Sequence, residues 1–380
     1  MISYTSKLQE STSIFSVMSK LSAEHNAINL GQGFPNFDCN PILLERIAYY
    51  LNDNKNQYAP SIGVEVLRSA IADKIKSLYD TEVNHDTEIT ITAGATQAIF
   101  SIINTFIKGK DEVIIIEPAY DSYKPSIELA GGVVVPYRLE APDFKINWQA
   151  ISELLTERTR MIIVNTPHNP TGTILSELDI LALQTLVSGK NIIVLSDEVY
   201  EHLIYDDQQH ESVLRYSELY NQSLAVYSFG KTFHATGWKI GYCVGPAHLM
   251  TEMRKHHQWN VFSVNSFIQY ALADYLREES SYNGLATFYQ KKRDHFNTVI
   301  NGTSLKPLAS QGTYFQLFDY SEVSDKSDLE FAKDMVTEWG IASIPLSPFY
   351  SDGSEDKLVR FCFAKTEALL DQAGELLRRM

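Results

Sequence analysis

The sequence predicts an α/β fold: a large domain with a mostly parallel sheet flanked by helices, and a smaller α+β domain beside it. Three observations carry this. From about residue 88, short β-branched runs alternate with longer helical patterns. The runs are apolar throughout, which marks strands covered on both faces. After about residue 280 the rhythm changes to longer charged helices with two short strand-like runs.

Taken in order, "EITITAG" (Glu88–Gly94) reads as a strand and "TQAIFSIINTFI" as a helix. "EVIIIEP" (Glu112–Pro118) is the next strand, followed by a helix through "YDSYKPSIELAGG". The strands "VVVPY" and "RMIIVNTP" (Arg160–Pro167) come next, then a helix at "SELDILALQTLVSG" and the strand "IIVLSDEVY" (Ile192–Tyr200). "LAVYSFGK" and "KIGYCVG" complete the large sheet, and "GTYFQLFD" and "KLVRFCFA" supply strands to the smaller unit. The first 40 or so residues hold loop signals such as "GQGFPNF" and no sheet strand, so they are expected to pack with the C-terminal unit. The expected organisation is an N-terminal segment at 1–42, a large domain at 43–280 and a small domain at 281–380.

The 380 residues suffice for one large or two medium domains. With 44% hydrophobic and 21% charged residues, the composition is that of a folded protein. A formal net charge of −15 argues against a nucleic-acid-binding surface. It also requires that any bound phosphate be held by local donors. The three cysteines, Cys39, Cys243 and Cys362, have no C-x-x-C spacing, which fits a reduced compartment and offers no metal site. The stretch "MISYTSKLQESTSIF" lacks the charged start and apolar core of a signal peptide, and no run reaches the ~20 apolar residues of a membrane helix. The expectation is a soluble cytoplasmic protein with no membrane partner.

Five groups of chemistry-bearing residues stand just after the apolar runs, where open α/β sheets bind ligands. Gly94, Ala95 and Thr96 lie between a strand and a helix, where free N–H groups and the helix terminus favour an anion; the same residues also make a tight turn. Asn169 in "NTPHNPTG" offers a neutral amide, in a stretch whose composition also suits a plain loop. Asp197 in "SDEVY" is placed to pair with a cationic ring nitrogen or to cap a helix. "SFGK" brings Ser228 and Lys231, with Lys239 beyond. A lysine of depressed pKa forms Schiff bases, and Ser228 and Lys239 suit a phosphate, although two lysines near a turn are also ordinary surface charges. Arg360 in "VRFCF" suits a bidentate carboxylate, or the wet face of an alternating strand. Singly these signals are weak; together, in order and in strand context, they point to one functional site.

The strings "NLGQGFPNF", "QYAPSIG", "EVIIIEPAYDSY", "NTPHNPTG", "SDEVY", "SFGKTFHATGWKIGY" and "VRFCFAKTEALL" span nearly the whole chain. In them the sequence resembles the fold-type-I, pyridoxal-phosphate-dependent aminotransferases of class I/II. Within these it is most similar to the bacterial methionine aminotransferases and the glutamine transaminase K/kynurenine aminotransferase branch.

The resemblance implies pyridoxal 5'-phosphate joined to Lys231 as a Schiff base, with Asp197 on its ring nitrogen. It implies Tyr200 and Asn169 on the phenolic oxygen and Tyr120 stacked on the ring. The phosphate would meet Gly94, Ala95, Thr96, Ser228 and Lys239, with Tyr58 added from the neighbouring subunit of a homodimer. Arg360, Asn169 and Gly33 would hold the substrate carboxylate. Phe15, Phe34 and the partner's Phe262 would form an aromatic wall for methionine or another large uncharged side chain, unless these phenylalanines are core. The aspartate-type enzymes have tryptophan and arginine where Tyr120 and Lys239 stand, and both departures point to the kynurenine-type branch. The resemblance also implies cis peptides at Asn169–Pro170 and before Pro118. The expected reaction is transfer of an amino group to a 2-oxo acid. A carbon–sulfur β-lyase on the same scaffold is the alternative. A cofactor-binding regulator is the less favoured one, since the sheet pattern begins too early for a preceding helix-turn-helix.

Overall fold

The computed structural model describes residues 12–380. The stretch 1–11, which contains most of the residues read against a signal peptide and the start of the expected N-terminal segment, lies outside them.

Seven strands form the large sheet: β1 (Ile89–Thr92), β2 (Glu112–Glu117), β3 (Val133–Arg138), β4 (Thr159–Asn165), β5 (Ile193–Asp197), β6 (Ser223–Ser228) and β7 (Gly241–Val244). Their spatial order is β1-β7-β6-β5-β4-β2-β3. All neighbours are parallel except β7, which runs antiparallel to both β1 and β6. The apolar runs thus became strands where expected. The reversal at β7 was invisible in sequence, because an apolar run encodes burial and not direction.

The two faces of the sheet are both covered. Ile114, Ile116, Ile162 and Val164 pack on one side with Ile180, Leu183 and Leu272. Val113, Ile115, Met161 and Ile163 pack on the other with Ile99, Ile103, Met250 and Met253. Successive side chains of a strand point to opposite faces, so a run buried on both sides must be apolar at every position.

Register sets the site. On the β4–β5–β6 ladder Asn165 lies opposite Asp197, and Asp197 opposite Val226. The C-terminal strand ends therefore deliver Asn165, Asp197 and Ser228 to one edge, and Gly94 follows β1 on the same sheet.

In the later part of the chain Phe315–Asp319 pairs antiparallel with Leu358–Cys362, and Leu317 lies opposite Arg360. The helix Ile14–Glu24 contacts the helix Asp328–Thr337. Against expectation, the first 40 residues do contain extended pairing: Ile28–Asn29 lies parallel to Ile341–Ala342. Two residues are too few to leave an alternating pattern. The peptides Asn169–Pro170 and Glu117–Pro118 are both cis, and so are Ala141–Pro142 and Thr166–Pro167.

Candidate active site

A cavity of about 320 Å³ opens at the C-terminal edge of the strands. Of the residues singled out in sequence, Phe15, Gly33, Gly94, Ala95, Thr96, Tyr120, Asn169, Asp197, Tyr200, Ser228, Lys231, Lys239 and Arg360 line it. Tyr58, Phe34 and Phe262 do not. Tyr58 and Phe262 are 82% and 55% exposed and meet each other edge-on at 5.2 Å. Phe34 is 46% exposed, with the Lys365 ammonium 5.0 Å from its ring centre.

One end of the cavity is a cradle of unused donors. The helix Ala95–Phe106 begins there without a side-chain cap, after Gly94 at φ 80°. That positive φ suits glycine, and the uncapped first turn leaves N–H groups free. Among the described residues no hydrogen bond or ion pair engages the Ser228 and Thr236 hydroxyls or the Lys239 ammonium. A Cβ on Gly241 would sit 2.9 Å from the Ala95 nitrogen, so glycine is needed for this close approach. Such a cluster fits a phosphate group.

Asp197 ends β5 and caps no helix, which removes its structural alternative. The Tyr123 hydroxyl donates to its Oδ2 at 2.6 Å, and the Val199 N–H reaches Oδ1 at 3.4 Å. Burial pushes its carboxyl up to about 6, and the Tyr123 hydrogen bond holds it down in part. Oδ1 is thus a buried acceptor with only a weak bond, suited to a cationic N–H.

Lys231 lies in the short helix Phe229–Thr232 directly after β6. Part of it faces the cavity, so it is half-buried, while protein crowds its other sides. Its Nζ donates to Tyr314 Oη at 2.8 Å. Burial pulls the ammonium down to about 8, with Arg360 and Lys239 pushing the same way and Asp197 opposing. Burial also raises the Tyr200 hydroxyl.

Arg360 is 1% exposed, so it is not on a wet strand face. Its Nη1 donates to Asn169 Oδ1 at 2.6 Å and its Nη2 to the Gly31 carbonyl at 3.2 Å. Nε has no partner. The guanidinium lies 3.7 Å from the Phe315 ring centre and 5.3 Å from that of Phe15. A buried arginine whose bonds go only to neutral oxygens is short of an anion.

Tyr123, Tyr314, Phe315 and Thr236 were not singled out in sequence. Tyr314 and Phe315 lie in or next to the recognised strand "GTYFQLFD", and Tyr123 in the recognised string "EPAYDSY"; nothing in either separates them from core aromatics.

A free-donor cradle, a buried carboxylate, a near-neutral lysine and an anion-starved arginine around one cavity define a site for a phosphorylated aldehyde cofactor and an amino acid. Residues 25–377 match the family model for class I and II aminotransferases. The chain is 48% identical to the methionine aminotransferase of Escherichia coli, over 98% of this chain and 97% of that one. It is 32% identical to human kynurenine–oxoglutarate transaminase 1, over 95% and 94%. A crystal structure of the E. coli protein identified as a methionine aminotransferase superposes with a TM-score of 0.98, at 48% identity and with 100% of both chains covered. N-succinyldiaminopimelate aminotransferase from Mycobacterium tuberculosis gives a TM-score of 0.95 at 32% identity, covering 99% and 100%. The chain belongs to the class I and II aminotransferases, which are pyridoxal-phosphate-dependent transaminases.

Proposed function

We propose that this aminotransferase moves the amino group of methionine, or of another large uncharged or aromatic amino acid, to a 2-oxo acid. The observation that carries the reading is the count of cations around the cavity. Lys231 handles the proton, Lys239 stands at the phosphate cradle and Arg360 takes the α-carboxylate, so among the described residues that line the cavity of the single chain no cation is left for an acidic side chain. Phe15, beside Arg360, offers an apolar wall with favourable sulfur–aromatic contact. The E. coli relative's name points the same way.

When bound, pyridoxal phosphate supplies an electron sink for the pair left as the Cα–H bond of an amino acid breaks. Ala95, Thr96, Ser228 and Lys239, joined by Thr236, would take the phosphate. Asp197 would pair with the ring nitrogen, Tyr200 and Asn169 would bond the phenolic oxygen, and Tyr120 would cover the ring face. Lys231 Nζ takes the Cα proton and returns it, a task suited to an amine poised at about 8. Asn169 Oδ1 is engaged by Arg360, so its Nδ2 is the donor left for ligands.

Tyr58 and Phe262 complete the site of a second copy in a homodimer. Their exposure, with that of Tyr49 and Trp259, supports this, since large exposed aromatics mark interfaces. Residues 43–280 form the cofactor-binding domain, and 281–380 with the N-terminal segment form the small one. A cytoplasmic location belongs to the same reading, on cysteine usage. The test is a stopped-flow comparison of amino acids, read from the cofactor spectrum. Methionine and phenylalanine are expected to react at least tenfold faster than aspartate, a margin within what one pocket's apolar contacts and a missing cation supply. Aspartate reacting as fast as methionine would overturn the specificity.

A further inference from the structure

We propose that Tyr314 is a positioning residue for the base: its hydroxyl, together with the Gly33 carbonyl, docks the Lys231 amine at the cavity wall. This rests on Lys231 being the group that moves the Cα proton.

The Tyr314 hydroxyl has one proton to give. Tyr314 Oη donates to the Gly33 carbonyl at 2.6 Å. That commits the only hydroxyl proton, so towards Lys231, whose Nζ lies at 2.8 Å, the phenol oxygen accepts. A second contact runs from Nζ to the Gly33 carbonyl at 3.3 Å. The two oxygens are themselves only 2.6 Å apart, so they lie on one side of the nitrogen and fix its place at the wall of the cavity that Lys231 lines. A base held in place beside the reacting carbon gains rate from its position.

The dock is rigid. Tyr314 is fully buried, and its ring meets those of Tyr200 and Phe315 edge-on at 5.2 Å and 4.9 Å, so packing holds the ring in place. Gly33 is fixed as well. Lys365 is buried, and its ammonium donates to the carbonyls of Phe34 at 2.8 Å and Gln32 at 3.3 Å, on either side of Gly33. A Cβ on Gly33 would lie 2.6 Å from the Phe315 ring, so only glycine allows this approach. Two residues earlier the Gly31 carbonyl accepts from Arg360. One short segment therefore carries a contact to the carboxylate-binding guanidinium and the carbonyl that orients the base.

Tyr314→Phe removes the hydroxyl and keeps the ring. In the holoenzyme, kcat for methionine is expected to fall about 10- to 100-fold, the cost of a misplaced catalytic group, with KM within about twofold. The isotope effect with Cα-deuterated methionine rises, because proton removal becomes slower than the steps around it. In the apoenzyme, the rate at which pyridoxal phosphate is captured into its yellow form falls roughly tenfold on the same grounds. Should Tyr314→Phe fail to fold, a series of fluorotyrosines at position 314 keeps the shape and weakens the oxygen as an acceptor. The capture rate then falls with each added fluorine. Wild-type capture rate and isotope effect in Tyr314→Phe, or a flat fluorotyrosine series, overturns the proposal. Lys231→Ala separates the two layers. If it still turns over methionine, the reading of Lys231 fails. If it is inactive while Tyr314→Phe matches wild type, only the dock fails.

Discussion

The Tyr123 hydroxyl donates to Asp197 Oδ2 at 2.6 Å, and so divides the two oxygens of the buried carboxylate between protein and ligand. Oδ2 is occupied, while Oδ1 receives only the long contact from Val199. The bond also opposes the upward push of burial on the Asp197 carboxyl. Tyr123→Phe therefore removes a hydrogen bond to a charged acceptor, worth about 1.5–3 kcal/mol. We expect kcat to fall roughly tenfold, as 1.4 kcal/mol of lost stabilisation gives, with the methionine KM little changed. Steady-state kinetics check this, and an unaltered kcat contradicts it.

Asp197 gives a second prediction, on stability. Its carboxyl rises from an ordinary 3.8 to about 6 on folding, because burial disfavours the charge. Between those values the folded protein binds more protons than the unfolded chain, so stability falls as pH rises through this window. Above about pH 6 the burden is complete. In the apoenzyme, Asp197→Asn is then expected to be more stable than wild type at pH 7.5, by up to about 3 kcal/mol for a shift of this size. The advantage vanishes below about pH 4, where both carboxyls are neutral. Thermal unfolding of the two apoproteins across pH measures it, and an equal Tm at pH 7.5 contradicts it. The same substitution should abolish most of the turnover, so stability and activity move in opposite directions here.

Arg360 is the third test. Its planar guanidinium is stacked on Phe315 and fixed by Asn169, a geometry that lysine cannot reproduce. Arg360→Lys and Arg360→Ala should both raise KM for every amino acid. For alanine the loss in kcat/KM should approach about 3–5 kcal/mol, as for breaking a buried ion pair. A loss confined to one class of side chain contradicts a carboxylate-binding role.

The residues next to the site hold a buried ion pair. The Lys74 ammonium is bonded to Glu201, and both side chains are 3% exposed. The Tyr79 hydroxyl shares the same carboxylate. Lys74→Met leaves that carboxylate uncompensated and should cost about 3–5 kcal/mol, whereas Lys74→Met combined with Glu201→Gln should recover much of it. Denaturant unfolding of the single and double variants decides, and a double variant as unstable as the single one contradicts the pairing account.

Much of this molecule was legible from its residues, for physical reasons that can be named. The strands of the large sheet are covered on both faces, so each is an unbroken apolar run such as Ile114–Ile116 that composition betrays. Asp197, Lys231 and Asn169 were each open to a plain reading as a cap, a surface charge or a loop residue; what marked them was their order at the ends of such runs. Arg360 was ambiguous, since a strand residue reads alike whether it faces water or a buried ligand; only its 1% exposure separates the two. Tyr314 and Tyr123 were hidden for the opposite reason. Each is an aromatic among aromatics, and its hydroxyl matters only through partners distant in sequence, Gly33 and Asp197. Tyr58, Phe34 and Phe262 lie outside the cavity of the single chain, and the first and last of these are paired on its surface.

The central claim is that the Lys231 amine is the group joined to the cofactor. Borohydride reduction of the holoenzyme followed by peptide mass spectrometry tests it most directly. The account predicts a phosphopyridoxyl adduct on the peptide that carries Lys231, and its loss in Lys231→Ala. An adduct found instead on Lys239, or on no lysine that lines the cavity, would contradict it.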